Sequence, residues 1–353
     1  MNHGMGIIEF VANLLIFARL LTGCSDQIEL DDRAQRLAVY GLDGDLSWAP
    51  RAAEVPTRPV SLAWKGGFLY GIPFGASRLD FEAGPGGWAL RAPARIPVLD
   101  GALAVRAFSM GDFTQGNARV KFDAELEPVG MRALARALDW PPMSGTLSGR
   151  LPELTYENGN LGLGGALEAR VFDGVARVSD LRIRDPLGPG SLLEAEIELE
   201  GLDLEQLTEA FSFGRITGTL DGHVRGLQMI DWRPVAFDAR FHTPEDDPRG
   251  HRISQRAVDN IASLGGGGGA AALSKGFLRF FEEFGYGRMA LGCRLEDEVC
   301  RMSGVKPAET GYYILTGRGL PRIEVIGFAD RVSWPTLVGQ LKAIVESEGP
   351  VVR

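Results

Sequence analysis

Between Leu193 and Glu200 the chain reads Leu-Glu-Ala-Glu-Ile-Glu-Leu-Glu. Successive side chains of a strand point to opposite faces. Leu193, Ala195, Ile197 and Leu199 therefore share one face, and Glu194, Glu196, Glu198 and Glu200 share the other. Alternating carboxylates resist burial, so their face meets water. Val120, Phe122, Ala124 and Leu126 stand in the same way against Lys121, Asp123, Glu125 and Glu127. Val235, Phe237, Ala239 and Phe241 make a third such face, with Asp238, Arg240 and His242 outside.

The first two of these strands hold equivalent places in a repeat. A shift of 73 residues brings Asp100-Gly101 onto Asp173-Gly174 and Glu125-Leu126-Glu127 onto Glu198-Leu199-Glu200. It also brings the apolar stripe Met131, Leu134, Ala137, Leu138 onto Leu204, Leu207, Ala210, Phe211, each a short helix. Ser144-Gly145-Thr146-Leu147-Ser148-Gly149 then meets Thr217-Gly218-Thr219-Leu220-Asp221-Gly222. The match covers 100–154 on 173–227, and a weaker one places an earlier copy around 27–81. Strands plus one short helix per copy suggest a sheet extended unit by unit. Turn signals punctuate it at Gly41-Leu42-Asp43-Gly44, Gly84-Pro85-Gly86-Gly87, Asn158-Gly159-Asn160 and Pro186–Gly190. The 47 glycines in 353 residues, roughly 13 %, favour turns and short strands over long helices.

Three regions result: an apolar segment 1–26, a repeat-built β region 27–245, and an α+β region 246–353. In the last, Ser254–Leu264 has a Ser cap and helical spacing, and the run Gly265–Gly269 breaks it. Ala270–Phe284 reads as a second helix with Leu273, Phe277, Phe280 and Phe284 on one side. Strands are predicted near 286–293, 299–304, 311–316 and 322–328, and a last helix over Ser333–Glu346. At the start, Ile7–Leu21 is short for a membrane span and carries Glu9 and Arg19. Its end, Leu21-Thr22-Gly23-Cys24, fits the pattern before a lipid-modified cysteine, although no basic residue precedes Arg19. The other reading is an apolar helix or strand of the first packed unit, with the natural chain continuing upstream.

Little of the sequence points to chemistry. With 37 Lys+Arg against 46 Asp+Glu the net charge is −9, which argues against a nucleic-acid partner. The 45 % hydrophobic content supports a real core and excludes global disorder. Gly265–Gly269 follows a helix and lacks a Gly-Lys-Ser/Thr ending, so it reads as a hinge and not a phosphate loop. No Gly-x-Ser-x-Gly elbow occurs, and His223, His242 and His251 lack metal-ligand spacing. No catalytic residue, metal or cofactor is expected. Cys293 and Cys300 flank Arg-Leu-Glu-Asp-Glu-Val. A tight turn at Glu296-Asp297 would set them opposite each other, within disulfide reach, and a disulfide implies an oxidising compartment. The alternative is two reduced cysteines packed as small hydrophobes.

The text Ile253–Leu337 carries a resemblance. ISQRAVDNIASL, the Gly-rich break, ALSKGFLRFFEEFGYGRMALGCRLEDEVCRM and GYYILTGRGLPRIEVIGFADRVSWPTLV resemble the carboxy-terminal part of the YdbH-like proteins, in the AsmA-like group that includes TamB. The upstream Ser/Thr-Gly-Thr-Leu-x-Gly strands fit the same family, and Cys293 and Cys300 match its pattern. The resemblance covers most of residues 100–345. It implies a carboxy-terminal portion of an envelope protein that bridges the Gram-negative periplasm, membrane-associated, whose half-open β-groove carries phospholipid acyl chains between the membranes. It also implies a small outer-membrane lipoprotein as partner at the far end.

Periodicity alone allows a sealed sandwich or a groove, since both bury one face. With the resemblance, the expected fold is mainly β with short helices: an elongated, repeat-built antiparallel sheet curled into a half-open apolar groove, plus a small α+β carboxy-terminal region. Phe122, Ala124, Leu126, Leu193, Ala195, Ile197, Leu199, Val235, Phe237, Ala239 and Phe241 are the expected lining. A rival role is assembly of outer-membrane proteins by strand addition at exposed edges.

Overall fold

The computed structural model describes residues 28–31, 37–44, 58–84, 87–111, 119–140, 145–157, 159–186, 190–264 and 281–346. The expectations for the amino-terminal segment and for Leu273, Phe277 and Phe280 lie outside them.

The described chain is mainly an antiparallel meander. It opens with β1 (Ile28–Asp31), β2 (Leu37–Gly44), β3 (Arg58–Leu69), β4 (Ile72–Gly84), β5 (Gly87–Leu90), β6 (Ala94–Val98) and β7 (Gly101–Gly111). It continues with β8 (Arg119–Gly130), helix α1 (Met131–Ala137), β9 (Gly145–Glu157), β10 (Asn160–Leu163), β11 (Leu167–Val171) and β12 (Gly174–Arg184). Then follow β13 (Leu192–Asp203), helix α2 (Leu204–Ala210), β14 (Thr219–Ile230) and β15 (Arg233–His242). Each strand pairs with the next, with one device used twice. β5 and β6 share one sheet position between β4 and β7. β10 and β11 share one between β9 and β12.

The 73-residue repeat is structural down to its irregularities. β4, β5, β6, β7, β8 and α1 map by that shift onto β9, β10, β11, β12, β13 and α2 with the same bounds. Both copies carry a bulge on the strand before the helix, at Glu127-Pro128 and at Glu200-Gly201. Both carry a second on the strand after it, at Pro152-Glu153 and at Arg225-Gly226. A bulge bends a strand and tightens its twist, so repeated bulges curl the sheet the same way in each unit. The earlier copy is not framed at 27–81 as the sequence suggests. β3 matches β8 at a shift of 61, because two residues join β3 to β4 where fourteen join β8 to β9; the difference, 14 − 2 = 12, equals 73 − 61. The helix is simply missing from that unit. Gly41-Leu42-Asp43-Gly44 is likewise no turn. It lies within β2, where Gly41 at φ +60 serves a bulge opposite β1.

The curl is visible in one long-range contact. The Tyr70-Gly71 turn lies at the end of the β3–β4 hairpin opposite to the β4–β5 turn, whereas the β12–β13 and β14–β15 turns lie at the β4–β5 end. In a flat meander they would sit at opposite ends. Instead the Tyr70 ring meets Trp232 at 5.6 Å, and its hydroxyl donates to the Pro186 carbonyl at 2.8 Å. The sheet therefore coils, and one hairpin end lands on the opposite ends of later strands. The described pairings close no barrel, since β1 pairs only with β2.

The carboxy-terminal part comprises β16 (Arg252–Ser254), α3 (Gln255–Leu264), β17 (Glu283–Glu296), β18 (Val299–Gly304), β19 (Lys306–Pro307), β20 (Tyr312–Gly317), β21 (Val325–Gly327), β22 (Arg331–Ser333) and α4 (Trp334–Glu346). β17 is shared: its distal half extends the meander between β15 and β18, and its proximal half pairs with β16 and β20. The helix expected to run to Phe284 does not, because Phe284 is fully buried in β17. α3 begins as expected, with Ser254 Oγ accepting the Ala257 amide at 3.3 Å. Of the expected strand 322–328 only Val325–Gly327 forms. The principal core gathers here, from Ile253, Ile261, Phe284, Tyr286, Ile314 and Leu315 with Met131, Leu134 and Leu204 of the repeat helices. A small second cluster, Val60, Phe81, Ala83 and Trp88, sits at the other end of the sheet.

Gly218 adopts φ +126, and a Cβ there would lie 2.8 Å from the buried Tyr286 hydroxyl. Gly226 adopts φ +58, with open space around a Cβ. Gly218→Ala is expected to cost more than about 1 kcal/mol, and more than Gly226→Ala, in urea denaturation. Equal costs would show that the Tyr286 contact gives way freely.

Candidate functional site

Directly paired residues of an antiparallel sheet point to the same face, so the register traces what each face presents. One row runs Ala83, Trp88, Met110, Val120, Tyr156, Leu161, Ile183, Leu193 and Met229, from β4 to β14. At about 4.8 Å per strand its eight steps span about 38 Å of apolar surface. A second row runs Leu167, Val178, Ile197, Val224, Ala239, Cys293 and Met302, from β11 to β18. Beside it lie Ala169, Ala176, Leu199, Gly222, Phe241 and Leu291. On β7 to β10 the row Phe108, Phe122, Leu154, Leu163 belongs to the same face as Val120.

Burial along this face is uneven. Ala124, Ala195 and Ala239 are buried, whereas Phe122, Leu126, Leu154, Leu161, Leu193 and Ile197 are half-buried. Neither core cluster includes Phe122, Leu154 or Leu193. Phe122, Leu154, Leu161 and Leu193 are therefore crowded by their neighbours without being sealed, while Leu163 and Ile183 on the same face are buried.

The expected lining residues are distributed accordingly. Ile197 and Ala239 stand in one row and Leu199 and Phe241 in the next, while Leu193 lies in the long row. Phe122, Ala124 and Leu126 are on β8, separated from β13 by β9, the β10/β11 position and β12. Ala195 pairs with Leu227. Phe237 pairs with Leu295, and its ring is covered by Trp334 at 5.3 Å. Val235 falls at an irregularity between Pro234 and Ala236 and has no register partner.

The opposite face is polar and organised by charge. Glu168, Arg177, Glu198, His223 and Arg240 form a lateral row, with Arg177 at 2.9 Å from Glu168 and 3.6 Å from Glu198. Glu196 is not the free solvent-facing carboxylate that alternation suggests, because it accepts the Gly226 amide at 2.9 Å and holds the β14 bulge.

Where the face meets the carboxy-terminal part, helices partly cover it and leave a cavity of about 920 Å³ that is open at one side. Leu199, Leu202, Leu220, Phe241, Met289, Leu291 and Ile314 come from strands, and Leu204, Leu207, Ile261, Leu264, Val338 and Leu341 from α2, α3 and α4. Thr208 supplies a hydroxyl, which donates to the Leu204 carbonyl at 2.7 Å. Asp139, Trp140 and Lys342 also line it, with Trp140 52 % and Leu341 38 % exposed. The chain pattern gave the strand walls, but the cavity depends on long-range packing of three helices.

A buried polar junction lies nearby, built from residues whose local spacing gives no sign of it. The Asp247 side chain is fully buried. It accepts the Thr219 amide at 2.6 Å, the Thr219 hydroxyl and Arg249 amide at 3.0 Å, and His251 Nε2 at 3.0 Å. His251 Nδ1 lies 2.9 Å from the Gly287 carbonyl, and its ring stacks on Tyr286 at 4.7 Å. The Tyr286 hydroxyl donates to the Thr217 carbonyl at 2.7 Å. The Thr217-Gly218-Thr219 motif thus ties the repeat to the terminal region, and its glycine makes room for the three polar side chains. Among the described residues no group of His, Cys, Asp and Glu is placed to hold a metal ion.

Burial alone would raise the Asp247 pKa. The Arg249 and Thr219 amides, His251 and the Thr219 hydroxyl outweigh burial and hold the carboxyl below the usual Asp range. Its stabilisation is therefore complete above the unfolded value of about 4 and is lost as pH falls through the folded one. Asp247→Asn is expected to lower stability at neutral pH and to flatten the acid limb of a stability–pH curve. An unchanged acid limb would place the acid sensitivity elsewhere.

Cys293 and Cys300 are joined by a disulfide with Cα atoms 5.4 Å apart. The pair is not directly opposed as a turn at Glu296-Asp297 would require. The turn is Asp297-Glu298, both at positive φ, so Cys293 faces Met302 and Cys300 faces Leu295. The bond is diagonal, and twist brings this diagonal within reach. Non-reducing peptide mapping should recover the linked peptide, and replacing both cysteines by Ser should cost about 2–3 kcal/mol. Free thiols at both positions would refute the pairing.

No helix of the described residues is long and apolar enough to cross a membrane. No family model, curated protein or solved structure matches the chain.

Proposed function

We propose that the chain is a non-catalytic cell-envelope protein that carries phospholipid acyl chains along the apolar face of its coiled sheet. This reading places it with the YdbH-like proteins, in the periplasm of a Gram-negative envelope, between inner and outer membranes. The observation that carries it is the long row from Ala83 to Met229, eight apolar side chains and Tyr156 over nine strands, in which Val120, Tyr156, Leu161 and Leu193 are half-buried and Ile183 is buried. A sealed core would bury those half-buried side chains fully, and a contiguous apolar row of this length on an accessible face marks an interaction surface. Each methylene fully buried against such a face contributes roughly 0.8 kcal/mol, and Tyr156 carries the row's one hydroxyl. A small outer-membrane lipoprotein remains the proposed partner at the carboxy-terminal end. Outer-membrane assembly by strand addition would instead use the sheet edges and leave the apolar rows idle.

Ile197→Asp puts a carboxylate into the second row, where it keeps its water or shifts its pKa. It is expected to abolish lipid crosslinking from a photoreactive residue at Val178 or Val224 in folded protein. Glu198→Gln, on the polar face and 66 % exposed, is the control and should leave crosslinking at the parental level. Equal crosslinking in both variants would return these strands to an ordinary core.

A further inference from the structure

We infer that the cavity beneath α2, α3 and α4 is a binding site for one hydrocarbon chain of an amphiphile, with the headgroup left outside. This rests on the lipid reading above and gives it a terminal station distinct from the open face. Its volume of about 920 Å³ lies in the upper range of small-ligand sites.

The lining decides the ligand class. Leu207, Phe241, Leu291 and Ile314 offer only hydrocarbon, and the Thr208 hydroxyl is spent on the Leu204 carbonyl. A sugar, a nucleotide or an extended peptide would bury donors and acceptors with no partner, at a cost of several-fold in affinity for each group. A run of methylenes carries no such groups. The polar side chains are at the mouth, where Asp139 and Lys342 flank the exposed Trp140 and Leu341. That pair leaves the mouth without net charge, so it accepts a headgroup without selecting its sign. Leu199 and Phe241 belong both to the cavity and to the rows of the open face, so a chain sliding along the face reaches the cavity without crossing polar surface.

The test uses the purified chain and two single-chain probes, stearate and stearoyl-lysophosphatidylcholine, each with a nitroxide near the methyl end. Electron paramagnetic resonance should show one immobilised equivalent per chain for both probes. Unlabelled competitors of decreasing length should weaken by about four-fold per methylene removed. Leu341→Glu at the mouth and Leu207→Trp within should each reduce binding by at least about ten-fold in protein with parental circular dichroism. Lys342→Glu should weaken stearate while sparing the zwitterionic lysolipid, and equal effects on both probes would overturn the placement of the headgroup at this mouth. No immobilised probe, no dependence on chain length, or parental binding by both Leu341→Glu and Leu207→Trp overturns the assignment. Crosslinking beside residue 197 reports the open face independently. Its failure with cavity binding intact removes the conduit and leaves the cavity; the reverse removes the cavity alone.

Discussion

A single-layer sheet with one apolar face must cover that face with something. The described strands form one connected sheet, and neither of its two core clusters includes Phe122, Leu154 or Leu193 from the middle of the meander. What covers the middle is curvature. The bulges at Glu127-Pro128 and Glu200-Gly201, and those that follow each helix, turn the strands inward at the same point of each unit. Tyr70 packing on Trp232 and Pro186 shows how far the coil travels. The rest depends on this constraint: half-burial along the rows, charge ladders on the outer face, and helices only where the face is finally closed.

The strands and their faces were legible because period two is a local signal and the glutamates of β13 leave one solution. The repeat was legible for the same reason, and it led to equivalent strands and helices at 73 residues. Bulges were not, since an extra residue opposite a partner strand leaves no trace in one strand's own text. That is why Gly41 read as a turn. The Cys293–Cys300 hairpin was placed one step out of register for a different reason: its two-residue turn is Asp297-Glu298 and not Glu296-Asp297. Phe284 followed an apolar helical stripe, but tertiary pairing with β16 overrode it. The Asp247–His251 spacing lay in plain view. Its meaning depended on Thr219 and Tyr286, which come from distant parts of the chain.

The terminal junction shows how a repeat is brought to an end. Thr217, Gly218 and Thr219 occupy the place of Ser144, Gly145 and Thr146. In the last unit they bind Asp247 and receive Tyr286 instead of leading into another pair of short strands. β17 then accepts β15 along one stretch and β16 along another, and the meander divides.

One repeat occupies four sheet positions, β8, β9, the β10/β11 position and β12, before β13 starts the next. An even number of antiparallel strands returns the chain to its starting direction with the same face inward. Tandem duplication of the corresponding coding segment would therefore lengthen the molecule by about 19 Å without turning the sheet inside out. The length of such a sheet is quantised, one unit of four strand positions at a time.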